Sequence, residues 1–220
     1  MRPKDLPAAR KRKPYHHGDL RRALVEAALS LLTKTQRWDF SLREVARCAN
    51  VSHNAPYFHF ADKRDLLAAV AAKGYEILQV RTMTAVRRKK NPAEALKAIT
   101  IAYLRFATGN PAHYRLMCGP SLQGPDGGLP SEVVRAFASA ESVLRDVLKR
   151  GSEDRTFKIP ENDSAALETA LIAAWSLVHG LTMLYLDGLA TLETAQTIDS
   201  LAEKVVAMFM YGLVEREKRD

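Results

Sequence analysis

A chain of 220 residues with 47% hydrophobic and 26% charged side chains is too apolar to stay disordered and long enough for a small head and one larger domain. Its net charge of +8 is uneven: residues 1–90 hold 20 Lys and Arg against 8 Asp and Glu, and residues 91–220 hold 13 against 17, which confines a cationic nucleic-acid footprint to the first part. Cys48 and Cys118 make neither a disulfide framework nor a zinc site; six histidines without ligand spacing, no Gly-rich phosphate loop and no Gly-x-Ser-x-Gly element argue against an enzyme, a metal or a cofactor.

Residues 1–17 form a basic arm, with Arg2, Lys4, Arg10, Lys11, Arg12 and Lys13 among Pro3, Pro7 and Pro14. Such a composition resists packing, and it reads equally as an arm that tracks phosphates and as a solvated tail. No apolar stretch follows the charges as in a secretory signal, so a cytoplasmic location is expected. The first helix starts near Asp19 with Leu20, Ala23, Leu24, Ala27, Ala28, Leu31 and Leu32 on one stripe and Arg21 and Arg22 facing away. Trp38 and Phe40 then close a small three-helix core.

Ser41 and Glu44 have the spacing of a capping box and open a short helix from Leu42 to about Ala49, with Leu42, Val45, Ala46 and Ala49 inward. Asn50 suits the left-handed residue that a helix-turn-helix connection needs. Ser52 is expected to cap a second helix reaching Phe60, anchored by Val51, Ala55 and Phe60, although Pro56 delays or distorts its first turn. His53, Asn54, Tyr57, Phe58 and His59 are left for the outer surface: Asn can read adenine, His can donate to bases or phosphates, and Tyr offers a hydroxyl to a phosphate. Asp62 and Asp65 start the next helix, where Lys63 lies in a first turn that favours phosphate.

Ala49-Asn50-Val51-Ser52, Tyr57-Phe58-His59-Phe60 and Lys63, preceded by Arg43-Glu44-Val45-Ala46, resemble the DNA-binding domain of the tetracycline-repressor (TetR) family without a gap. Asn50 replaces its common Gly, and Pro56 stands where Leu is frequent. The resemblance implies that Tyr57 and Lys63 grip phosphates while Arg43, His53, Asn54, Ala55 and Phe58 lie against base edges, with His59 on either and Ser52 at the start of the reading element. Residues 18–64 are thus expected to be the DNA-binding domain and residues 65–220 a helical regulatory and dimerisation domain.

Within the second part, one helix is predicted over 63–90, ending in Arg87-Arg88-Lys89-Lys90, and a second opens at the Asn91-Pro92-Ala93-Glu94 signal and ends at Gly109. A short helix follows Asn110-Pro111. Residues 119–130 are a Gly- and Pro-rich loop, Ser131 is expected to cap a helix stopped by Gly151, and residues 152–160 read as a polar connector. Residues 169–186 lack charged side chains but are interrupted by Thr169, Ser176, His179, Gly180 and Thr182, so a buried helix is expected and not a membrane span. The last two helices, predicted over 162–186 and 192–216, carry surplus apolar surface that suggests a two-fold four-helix interface, an arrangement the TetR resemblance also implies.

No strand pattern occurs, so the fold class expected is all-α. Trp175-Ser176-Leu177-Val178-His179-Gly180 and Asn110-Pro111-Ala112-His113-Tyr114-Arg115 are similar to one branch of the family with a Trp-x-x-Val-His-Gly C-terminal domain. Tyr103, Phe106, Tyr114, Met117, Phe137, Trp175, His179 and Met183 could line an apolar pocket with a few polar handles, though each taken singly suits a plain core better. The expected function is a homodimeric, sequence-specific transcriptional regulator, most often a repressor in this family, that a small apolar or aromatic effector releases from a palindromic operator in double-stranded DNA. The alternative is an architectural DNA-binding protein without an effector.

Overall fold

A computed structural model describes residues 17–124, 126–190 and 197–213. Eight α-helices, and no strand among the described residues, follow one another as α1 (His17–Thr35), α2 (Leu42–Cys48), α3 (Lys63–Val86), α4 (Pro92–Gly109), α5 (Pro111–Cys118), α6 (Ser131–Glu153), α7 (Ser164–Leu186) and α8 (Ile198–Leu213). Residues 1–16 of the basic arm and residues 192–196 and 214–216 of the last predicted helix lie outside the described residues.

Local chemistry sets most helix starts. The Ser41 hydroxyl accepts from the Glu44 amide and the Glu44 carboxylate accepts from the Ser41 amide, which closes the expected capping box. Asn91 accepts from the amides of Ala93 and Glu94, with Pro92 in the first turn where no donor is missed. Asp62 accepts from the Asp65 amide, and Asp65 from the Ala61 amide. Asn50 takes φ 54° in the turn after α2.

Other expectations are corrected. Ser131 is the first residue of α6 and makes no cap; Pro130 holds the cap position. Gly151 does not stop α6 but lies inside it, because a Cβ there would come within 2.1 Å of the Phe157 ring. The segment after it is no polar connector: Phe157 and Ile159 are buried, and the Ser152 hydroxyl donates to the Ile159 carbonyl. α3 ends at Val86, so the basic run 87–90 follows the helix. α7 is long and apolar enough, by length and composition, to cross a membrane, yet it is not buried all round: Ile172 and Leu184 are exposed.

One apolar cluster runs from Leu24 and Leu32 of α1 through Phe60 and Leu66 to Leu104, Tyr114, Val133 and Val178. α3 therefore links the helix-turn-helix to the body without a break in packing. A second cluster, around Leu96, Leu148, Phe157, Leu171 and Val206, closes the far end.

Candidate nucleic-acid interface and effector cavity

The second element of the helix-turn-helix is shorter than expected. Pro56 has no amide hydrogen, so the first α-helical bond, to Ser52, cannot form, and the chain tightens into a 3-10 turn over Ala55–Phe58. Ala55 donates instead to the Ser52 carbonyl, and His59 and Phe60 both donate to the Pro56 carbonyl. Ser52 is not a helix cap; Asn54 holds that position without a side-chain bond.

This turn fixes which side chains point out. Ser52, His53, Asn54, Tyr57 and Phe58 are exposed, Phe58 by 81%, and Arg43 is exposed on α2 beside them. Ala55 points inward at 7% exposure together with Pro56 and Phe60, as its place among the inward anchors implied, and this removes it from the residues that the resemblance sets against base edges. His59 is half-buried, and its Nε2 is buried without a hydrogen-bond partner. The Lys63 ammonium lies 5.7 Å from the Phe40 ring centroid at the positive start of α3.

The body holds a narrow cavity of about 50 Å³ between α3, α4, α6 and α7. Of the predicted lining residues Tyr103, Phe137 and Trp175 border it. Tyr114 and His179 stand directly behind: the Tyr103 and Tyr114 hydroxyls are 2.9 Å apart, and the Tyr114 hydroxyl is 2.6 Å from His179 Nδ1. Phe106, Met117 and Met183 do not line it and pack in the core. Sequence reasoning missed the share of α3, where Tyr75, Leu78 and Thr82 line the cavity at helical spacing, and also missed Cys118 and Glu141. The three-and-four spacing of Tyr75, Leu78 and Thr82 was the available signal.

Six rings succeed one another around this cavity, from Tyr75 to Phe137, Trp175, His179, Tyr114 and Tyr103. Consecutive centroids are 5.6, 5.4, 5.8, 5.9 and 5.7 Å apart. Such tilted and edge-on pairs suit the quadrupoles of the rings. Burial pushes the titration of the Tyr75, Tyr103 and Tyr114 hydroxyls far up, pushes the Cys118 thiol up to about 11 and lowers His179, so all five are neutral. The one carboxylate on the lining, Glu141, is paired with Arg145 at 3.0 Å.

A helix-turn-helix with an outward reading turn, set on an all-α body that encloses an aromatic cavity, defines a DNA-binding regulator. The chain belongs to the tetR family of bacterial regulatory proteins: residues 24–70 match that family's model, and residues 96–209 match the tetracyclin repressor-like C-terminal domain. It is a DNA-binding transcriptional regulator; members of this family bind DNA and small-molecule effectors, typically as dimers. Among curated proteins it is similar to the nucleoid occlusion factor SlmA of Alteromonas mediterranea, with 24% identity over 76% of this chain and 80% of that one. A structure of a protein of unknown function from Rhodococcus sp. RHA1 shares 28% identity, covers 93% of this chain and 100% of its own, and has a TM-score of 0.76. The regulator FadR of Bacillus subtilis, in complex with stearoyl-CoA, shares the fold at TM-score 0.67 with 13% identity, over 87% of this chain and 98% of its own.

Proposed function

We propose that the protein is a dimeric repressor that holds a palindromic operator with two reading turns and is released when an uncharged aromatic or apolar molecule enters the ring-lined cavity. The observation that carries the reading is the exposure of Asn54, Tyr57 and Phe58 on a turn whose other side is locked into the core by Ala55, Pro56 and Phe60. Asn54 offers a bidentate partner for adenine, Phe58 an apolar contact for a thymine methyl, and Tyr57, Lys63 and Arg43 reach phosphates and base edges. His53 and Ser52 flank them as further exposed polar side chains, whereas His59, whose Nε2 is buried, is not among the exposed contacts. A two-fold dimer places the two turns in successive major grooves about 34–36 Å apart, which makes the operator a palindrome.

The effector class follows from the lining. A buried carboxylate or ammonium would meet neutral rings and no free counter-charge, a costly transfer. An apolar cavity of roughly 150 Å³ accepts benzene, so a cavity of about 50 Å³ must widen before any ring enters. Entry of a ligand therefore moves the walls, one of which is α3.

Fluorescence anisotropy against a palindrome selected in vitro and against random DNA, at two salt concentrations, tests the DNA half. Tight, salt-sensitive binding that stays well above random DNA is expected. Equal binding to all sequences would favour the architectural reading, to which the likeness to proteins named nucleoid occlusion factors lends some support. For the effector half, Trp175→Ala and His179→Ala are expected to abolish release of DNA by an effector; unchanged release would place its site elsewhere.

A further inference from the structure

We infer that α6, with the loop before it, forms a second route between cavity and DNA-binding head that reaches α1 and the first turn of α3 without running along the length of α3, and that Arg21, Glu132 and Arg64 are the positioning residues of that route. The inference rests on the effector reading for its input and on the geometry below for its output.

Arg21, expected to face solvent, instead turns its guanidinium onto α6, where Nη2 donates to both oxygens of Glu132 at 3.0 and 2.8 Å. The same guanidinium lies 5.3 Å from the ring centroid of Phe60, the buried residue that closes the reading turn. Arg64, in the first turn of α3, donates through Nε to the Leu122 carbonyl at 3.0 Å and through Nη2 to the Gly128 carbonyl at 3.2 Å. Leu122 is fully buried, and Gly128 also accepts from the Gly124 amide, so both carbonyls are anchored. The head is thus held at two points by the chain on either side of Pro130, where α6 begins.

α6 continues from this grip to the cavity. Phe137, Ala140, Glu141 and Leu144 line the cavity, five to twelve residues beyond Glu132. At 1.5 Å per residue that is roughly 8 to 18 Å of uninterrupted helix, stiff enough to carry a displacement without absorbing it. Because the cavity must widen to admit a ring, α6 is a wall that moves, and its first turn carries the Glu132 end of the fork. The Arg21–Glu132 pair is part-exposed on both sides, and such pairs are individually weak. Weak bonds suit a contact that has to rearrange.

Amide hydrogen exchange on the full chain tests both halves. In the Glu132→Gln, Arg64→Met double variant, exchange across 17–35 and 42–60 is expected to rise roughly fivefold while α7 stays at its wild-type rate, and Glu132→Asp alone should return close to wild type. Unchanged head exchange in the double variant would overturn the positioning role. The route is then tested without any ligand by filling the cavity from α6 with Ala140→Leu, and with Ala140→Phe as a larger filler. Each filler is expected to alter head exchange in the wild-type background and to leave it unaltered in the double variant. An equal response in both backgrounds would assign the signal to α3 and overturn the inference; no head response to a filler that shifts the melting temperature would do the same. Failure of the effector reading appears separately, as the absence of any melting shift with a neutral aromatic probe such as 2-naphthol.

Discussion

At Asn50 the backbone takes φ 54°, a region where a Cβ costs energy and where Asn is tolerated better than other non-glycine residues. Asn50→Gly should leave stability unchanged or raise it slightly, whereas Asn50→Ala should cost about 1 kcal/mol, since the turn between α2 and the reading segment has no alternative path; urea denaturation reads both. His113 is a different kind of constraint. Its Nε2–H donates to the Val70 carbonyl at 2.7 Å in a site so close that a Cβ on Gly74 would lie 2.6 Å from the same nitrogen. Burial there lowers the His113 titration below its ordinary 6.5, and burial lowers His179 as well. A lowered base is neutral when folded, so as pH falls the unfolded chain takes up the proton first. Stability should be full above about pH 6.5 and decline as pH falls through the folded-state values, with the melting temperature dropping between pH 7 and 5. His113→Gln should flatten part of that decline. A profile flat from pH 7 to 5 in the wild type would contradict it; the lowered carboxylates Glu44, Glu168 and Asp199 act only at more acid pH.

Among the elements, the reading turn has the sharpest consequence. With Ala55 and Pro56 inward, the proposed base recognition falls to the exposed side chains of the four-residue turn, Tyr57 and Phe58, and of Ser52, His53 and Asn54 just before it. Tyr57→Phe and Lys63→Ala should weaken all DNA alike, while Asn54→Ala should relax preference at one base pair per half-site by roughly 1 to 3 kcal/mol. Equal losses on selected and random DNA for Asn54→Ala would remove it from base reading. How much of this was legible follows from the range of the interactions. The capping box at Ser41, the Asn91-Pro92 start and the Asn50 turn are decided within four residues, and they occur as the sequence implies. The motif Tyr57 to Lys63 was legible too, as were the distortion at Pro56, which follows from its missing amide, and the inward side of Ala55; that the element shrinks to the four residues Ala55–Phe58 was not. Gly151 reads as a stop by composition, yet it continues α6 because Phe157, six residues on, needs its missing Cβ. Likewise the cavity was half visible: Tyr103 and Phe137 lie on helices with a distinct apolar face and Trp175 lies in the Trp-x-x-Val-His-Gly stretch, whereas Tyr75 lies on α3, which is buried around most of its circumference near the head and shows little contrast between faces.

For the whole molecule, the open question of surface is at α7 and α8. Thr169, Ile172, Ser176 and Leu184 stand exposed at helical spacing on α7, with Gly180 between them, where an added Cβ would meet no neighbouring element within 4 Å. On α8, Met208 is 79% and Tyr211 72% exposed. Small residues among larger apolar ones let a second helix approach closely, and exposed Met and aromatic side chains are what an interface buries. We propose that the two-fold contact forms on this face, with each subunit giving both helices. Ile172→Asp combined with Met208→Asp should keep the fold, since neither side chain is part of either core cluster, and should give a monomer by sedimentation at micromolar concentration. Losing the second head turns bivalent binding into monovalent binding, so affinity for the selected palindrome should fall roughly a hundredfold or more, while the weak affinity for a single half-site is retained. A double variant that stays dimeric would place the interface elsewhere. One that becomes monomeric yet binds the palindrome as tightly as before would show instead that a single head suffices, and with that the requirement for a palindrome would go.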